Sequence, residues 1–146
     1  MNEVEWQPRL NTASLDVAVR NLIILRRKFP EYKFTLAVST NHYIFLDCDD
    51  KSIMNEFVEL CREICKEYQC NCYVFETPNG YHALFDRYMS PARWRAAMAT
   101  LLTVAEETGI IDAKHIEASL RRGYVTLRLN QISLLVVLNW RGEVVG

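Results

Sequence analysis

No apolar run in this 146-residue chain approaches the roughly 20 residues of a membrane span. The opening MNEVEWQPRL lacks the basic flank and the apolar stretch of a signal peptide, so a cytoplasmic protein with no membrane partner is expected. An excess of one charge is also missing. With a formal net charge of −1, any nucleic-acid site has to be a local basic patch. No repeat, low-complexity tract or long polar linker divides the chain. One domain over 1–146 is expected, with an N-terminal helix over about 12–29 and a core over about 32–140. The C-x2-C knuckle of a zinc site is lacking too. Cys61 and Cys65 stand four apart on a helical stretch, Cys70 follows, and Cys72 falls in a strand, a spacing that favours core packing over metal. Five thiols, an odd number, suit a compartment in which nothing oxidises them.

What is present is an alternation of helical and extended patterns. Leu15, Ala18, Val19, Leu22 and Leu25 or Arg26 mark a helix from Leu15 to about Lys28, with Thr12 or Ser14 as its cap and Pro30 beyond its end. KFTLAVST and HYIFLDCD are strand-like and separated by a short turn at Asn41, which reads as a β-hairpin. Ile53, Phe57, Leu60, Cys61, Ile64 and Tyr68 give a second helix. CYVFETPNGYHALFDR gives two strands around a Pro-Asn-Gly turn. Ser90-Pro91 opens a third helix that Gly109 ends, and DAKHIEASL a shorter one. YVTLRLN and ISLLVVLNW are the last strands. Without the first helix and strand, the order is strand, helix, strand, strand, helix, strand. The expected fold is therefore α+β: an RRM-like or ferredoxin-like antiparallel sheet with helices packed mainly on one face.

Side chains alternate along a strand. Tyr43, Phe45, Asp47 and Asp49 therefore share a side, as do Tyr124, Thr126, Arg128 and Asn130, and His82 shares one with Leu84 and Asp86. Two aspartates two residues apart at a strand end can hold one or two divalent ions, and Mg²⁺ and Mn²⁺ prefer carboxylate and water. A histidine and an arginine nearby suit phosphate. Each residue also has a structural reading. Asp50 with Ser52 is better read as a turn and helix cap, and Asp112 reads equally well as an N-cap. His82 taken alone is more often structural, and Arg121 and Arg122 suit a solvated helix end. Asp47 resists such a reading, because a carboxylate inside a strand is costly unless paired or liganded.

The motif order resembles the archaeo-eukaryotic primase superfamily, most closely its primase–polymerase branch, over about Tyr32 to Asn130. FLDCDD looks like the first motif, TPNGYHALF like the second and GIIDAKHIEASLRRGYVTLRL like the third, with His82 33 residues beyond Asp49 and Asp112 another 30 on. The resemblance implies a catalytic core of RRM-like type and a two-metal Mg²⁺ or Mn²⁺ site on Asp47, Asp49 and Asp112. It also implies that His82 contacts the phosphates of the incoming nucleotide, with Arg128 and Arg122 as further nucleotide-binding residues. The implied activity is that of a metal-dependent nucleotidyltransferase, a small DNA primase or polymerase of replication or repair. Its partners would be nucleoside triphosphates, a DNA or RNA template and a replication helicase. The pattern departs at two points: Asp112 precedes a helical stretch where the family has its acid at a strand end, and NQISLLVVLNW has no basic residue before Arg141.

Other functional classes remain open on the residues alone. An RRM-like module that binds nucleic acid without catalysis would stack bases on Tyr43, Phe45, Tyr73, Phe75 or Tyr124. FLDCDD also looks like the D-x-D motif of the haloacid dehalogenases, but Asp50-Lys51 stands where that motif has glycine followed by threonine or valine. ISLLVVLNW is apolar on both faces, so it is either a central strand or a strand whose outer side meets a partner, for example in a homodimer.

Overall fold

The computed structural model describes residues 2–6, 15–129 and 132–146. The fold is α+β, with eleven main elements among the described residues. A first strand, β1 (Asn2–Trp6), precedes α1 (Leu15–Lys28), β2 (Tyr32–Thr40), β3 (Phe45–Cys48) and α2 (Met54–Tyr68). The hairpin β4 (Cys72–Glu76) and β5 (Tyr81–Phe85) follows. After it come α3 (Pro91–Thr108), α4 (Ala113–Arg122), β6 (Val125–Arg128) and β7 (Ser133–Leu138). The proposed caps of α1, Thr12 and Ser14, and Asn130 lie outside the described residues.

Local signals explain the elements they start and end. Ser90 Oγ accepts from the Arg93 amide at 3.2 Å with Pro91 at the first helical position, and Gly109 closes α3 in the left-handed region at φ 68°. Between those ends α3 buries Trp94, Ala97, Met98, Leu101 and Ala105. The indole of Trp94 is almost fully buried, and its N–H donates to the Tyr43 carbonyl at 3.0 Å, so the buried ring keeps no orphan donor. α2 buries Phe57, Cys61, Ile64 and Cys65, and Cys48, Cys70 and Cys72 are buried as well. Core packing is therefore where all five free thiols sit. The hydrogen bond with Cys70 lowers the Cys65 thiol, but its contact with Cys72 and burial outweigh that and push it up to about 12.

The strands form two sheets rather than one. β3-β5-β4-β7 is antiparallel throughout, while in β1-β2-β6 the pair β1–β2 is parallel and β2–β6 antiparallel. Three expectations need correction. β2 and β3 are consecutive but form no hairpin. Instead, the Met89 amide donates to the His42 carbonyl at 2.8 Å and His42 Nδ1 donates to the Met89 carbonyl at 2.8 Å, which draws the chain across to the second sheet. β6, the last strand of the ferredoxin-like order, ladders with β2 and not with β3. Of the two readings of ISLLVVLNW, the central strand is not what forms. β7 is the edge partner of β4, and Val145 and Gly146 fold back to pair with Val137 on its outer side. On the four-stranded sheet, Leu46, Cys48, Ala83, Val74 and Cys72 are buried on the side that α2 covers. The opposite side carries Asp47, His82, Leu84, Tyr73 and Phe75, only partly covered.

The β4–β5 turn closes with the Thr77 amide donating to the Gly80 carbonyl at 2.9 Å. Gly80 then passes β3 so closely that a Cβ there would stand 1.8 Å from the Cys48 carbonyl oxygen and 3.1 Å from Asp49 Cα. Only glycine permits that approach at the end of β3. Gly80→Ala is expected to cost about 3 kcal/mol, the upper end of overpacking penalties, because the obstructing atoms are backbone. Gly109→Ala, where a Cβ meets nothing within 4 Å, is expected to cost only the left-handed penalty of about 1 kcal/mol. Urea denaturation midpoints of the two variants check the ranking.

Candidate functional site

β3 delivers Asp47, whose side chain is 17% exposed and lies opposite His82 in the β3–β5 register. His82 Nε2 donates to Asp47 Oδ1 at 3.2 Å, which supplies the partner a strand carboxylate needs. Asp49 follows β3 on the exposed side. Asp112 comes from much further along the chain. Its carboxylate caps α4, accepting from the His115 amide at 3.2 Å, and its own amide donates to the Asp47 carbonyl at 2.9 Å. One oxygen from each of Asp47, Asp49 and Asp112 lies within 4.8 Å of the others. Asp112 is thus both an N-cap and a member of the cluster. Asp50 stays outside it: its Oδ1 accepts from Ser52 N at 2.9 Å and Ser52 Oγ at 2.6 Å, the turn cap that its sequence context suggested.

Asp47 and Asp49 titrate in opposite directions. Burial pushes Asp47 up, but the hydrogen bond and charge of His82, with His115 behind it, outweigh burial and hold Asp47 below the usual carboxylate value. Asp49 goes the other way, to about 6, through burial, the charge of Asp47 and its contact with Asp112. Crowded oxygens of this kind, with no nitrogen or sulphur donor among them, fit a hard divalent cation.

Beside Asp47 opens a pocket of about 380 Å³ lined by Asp47, His82, His115, Arg122, Tyr124, Thr126, Leu127, Arg128 and Glu5. Arg122 lies over the Tyr124 ring, 5.3 Å from its centroid. Arg128 Nε donates to Glu5 Oε2 at 2.6 Å. His115 Nε2 donates to the Thr126 carbonyl at 3.0 Å, so in the neutral ring its Nδ1 is the unprotonated nitrogen. The Nδ1 atoms of both His82 and His115 are buried without a protein partner. A second, larger cleft of about 1380 Å³ shares Glu5 and Arg128 with this pocket and has Phe75 and Leu84 on one wall and Tyr32, Lys33 and Phe34 among its other lining residues.

All six residues singled out in the sequence therefore meet here, with Asp47, Asp49 and Asp112 in the cluster and His82, Arg122 and Arg128 at or beside the pocket. Of the aromatics expected to be free for stacking, Phe45 is not, at 3% exposed, whereas Tyr73 is 40% exposed. Two site residues were missed. Glu5 could have been found from the alternation of NEVEW, which reads as a strand with both acids on one side. His115 could have been found from its place one turn into the helix that Asp112 caps. No family model, no curated protein and no solved structure matches the chain.

The raised Asp49 carboxyl has a consequence for stability. Its folded value of about 6 lies above the ordinary aspartate value of 3.8, so its folded form is favoured when protonated, and that contribution is lost as pH rises from about 4 through 6. Asp49→Asn, measured in chelator, is expected to be more stable than wild type at pH 7 by about 1 kcal/mol, well below the full linkage value because solvent screens the exposed group. The gain should vanish at pH 4. Thermal melts across that range check both limits.

Proposed function

We propose that the protein is a metal-dependent nucleotidyltransferase, a small primase- or polymerase-like protein of replication or repair that takes nucleoside triphosphates and a DNA or RNA template. The observation that carries this reading is the convergence of Asp47, Asp49 and Asp112 within 4.8 Å beside a pocket lined by His82, Arg122 and Arg128. Oxygen ligands next to cationic side chains are the combination that phosphoryl chemistry uses. The motif resemblance, Asp47–Asp49, then His82, then Asp112 and Arg128, supports the same reading.

Asp47, Asp49 and Asp112 would hold Mg²⁺ or Mn²⁺, and the bound ions would lower the pKa of an attacking 3′-hydroxyl and neutralise charge on the departing pyrophosphate. The protein's own part begins with His82, which fixes the orientation of Asp47 through Nε2. The first turn of α4 fixes Asp112, and its N-terminal dipole favours anionic oxygens there. Arg122 and Arg128 would bind the triphosphate as charge-assisted donors. Phe75 stands beside His82 in the β4–β5 register, two strands from Asp47, where a template base could stack as it leaves the reacting centre.

A second reading rests on that same open side. Tyr73 and Phe75 on a partly covered antiparallel sheet would also serve an RRM-like module that binds single strands without catalysis. Two experiments separate the readings. In primer extension, the Asp47→Ala, Asp49→Ala double variant is expected to lose more than about 100-fold in nucleotide incorporation, since even residues behind a metal's ligands are worth 10–100-fold. The melting point of wild type is expected to rise with Mn²⁺ and a nucleoside triphosphate, and that of the double variant to stay unchanged. Incorporation that survives the double substitution would refute the nucleotidyltransferase. Single-strand binding that depends on salt but not on metal, and weakens about tenfold in Phe75→Ala, would instead favour the binding module.

A further inference from the structure

The arm assigned to the triphosphate is already occupied by an anion of the protein itself. Sheet order β1-β2-β6 places β2 between Glu5 and Arg128, with Glu5 opposite Thr35 and Arg128 opposite Ala37. Glu3 alternates to the same side as Glu5 and meets the Lys33 ammonium at 3.7 Å. Glu5 instead reaches past the small Ala37 to Arg128 at 2.6 Å. The two ends of this pair differ in freedom: the Arg128 side chain is 71% exposed, that of Glu5 only 26%. The pair also stands at the junction of the two clefts, since Glu5 and Arg128 line both. Glu5 therefore lines the same pocket as Asp47, and its carboxylate holds the Arg128 guanidinium there.

We propose that Glu5 acts as an internal competitor for Arg128, so that a nucleoside triphosphate must displace the Glu5 carboxylate before its phosphates can take the guanidinium. The inference rests on the nucleotide-binding reading of Arg128 but not on catalysis. Glu5 is the fixed partner and Arg128 the mobile one, so displacement consists of the arginine arm swinging from β1 toward the pocket while β1 stays paired to β2. β1 thereby sets a threshold concentration for the anionic substrate, and Glu5 is a positioning residue acting through Arg128.

The test is a double-mutant cycle read by calorimetric titration of ATP with excess Mg²⁺. Glu5→Gln keeps the size of the side chain and one acceptor oxygen while removing the charge. The expected result is an affinity about twofold to fivefold tighter than wild type, the range of an exposed ion pair. Arg128→Ala is expected to weaken binding, and Glu5→Gln added to it is expected to change nothing further. Unchanged or weaker binding by Glu5→Gln would overturn the proposal. So would an equal tightening in the Arg128→Ala background, because that would make Glu5 a source of general repulsion. A melting point of Glu5→Gln matching wild type without ligand excludes a folding artefact, and Glu5→Ala repeats the test if it does not match. ATP binding that follows this cycle in a protein that extends no primer would leave the competition standing and remove the polymerase reading. A folded wild type that binds no ATP would remove both.

Discussion

A single backbone hydrogen bond, from the Asp112 amide to the Asp47 carbonyl at 2.9 Å, ties the start of α4 to the end of β3. Everything at the candidate site depends on that tie. It brings a third carboxylate to two that are neighbours in sequence, and it places the N-terminus of a helix beside all three. Ile111, buried at 2% exposure, anchors the same turn in the core, so the approach is fixed by packing as well as by the bond. From the other side, Gly80 lets β5 come close enough to β3 for His82 to reach Asp47. The site is thus clamped between two close backbone approaches, and its geometry belongs to the scaffold rather than to flexible side chains.

The clamp explains why the local conflict among the acids persists. Left to itself, the strand end would relieve repulsion by turning Asp49 away or by replacing one acid. Instead Asp47 is held ionised by His82, and Asp49 carries the resulting strain as a raised affinity for its proton. Structures keep such arrangements where a bound charge relieves them, and lose stability elsewhere to do so.

How much of this could be read from the residues follows from the range of the signals. The β4–β5 hairpin was legible because Pro-Asn-Gly is a local turn signal. α3 was legible because Ser90, Pro91 and Gly109 mark its ends, and Asp50 because Ser52 stands two residues on. The other sheet partners were not legible. β2 pairs with β1 and β6, both remote in the chain, and no local pattern tells a strand which distant edge it will meet. The expected β2–β3 hairpin failed for the same reason, since what redirects the chain is a pair of bonds between His42 and Met89. The cluster itself was half legible: D-x-D announced two members, but Asp112 reads from sequence as an ordinary cap. Its membership follows from tertiary placement, and only the motif resemblance pointed to it.

Cys48 stands between the two acids of the strand motif, yet its side chain is buried on the far side of the sheet, with Sγ 3.5 Å from the Asp50 carbonyl. A thiolate among these carboxylates would draw soft, thiophilic metals, which bind sulphur far more tightly than oxygen. The two-residue repeat of the strand instead hides the sulphur beneath the sheet and leaves the carboxylate of Asp47 on the other side. The alternation of a pleated strand thus serves as a filter of hard from soft ions, set by backbone geometry before any ligand arrives.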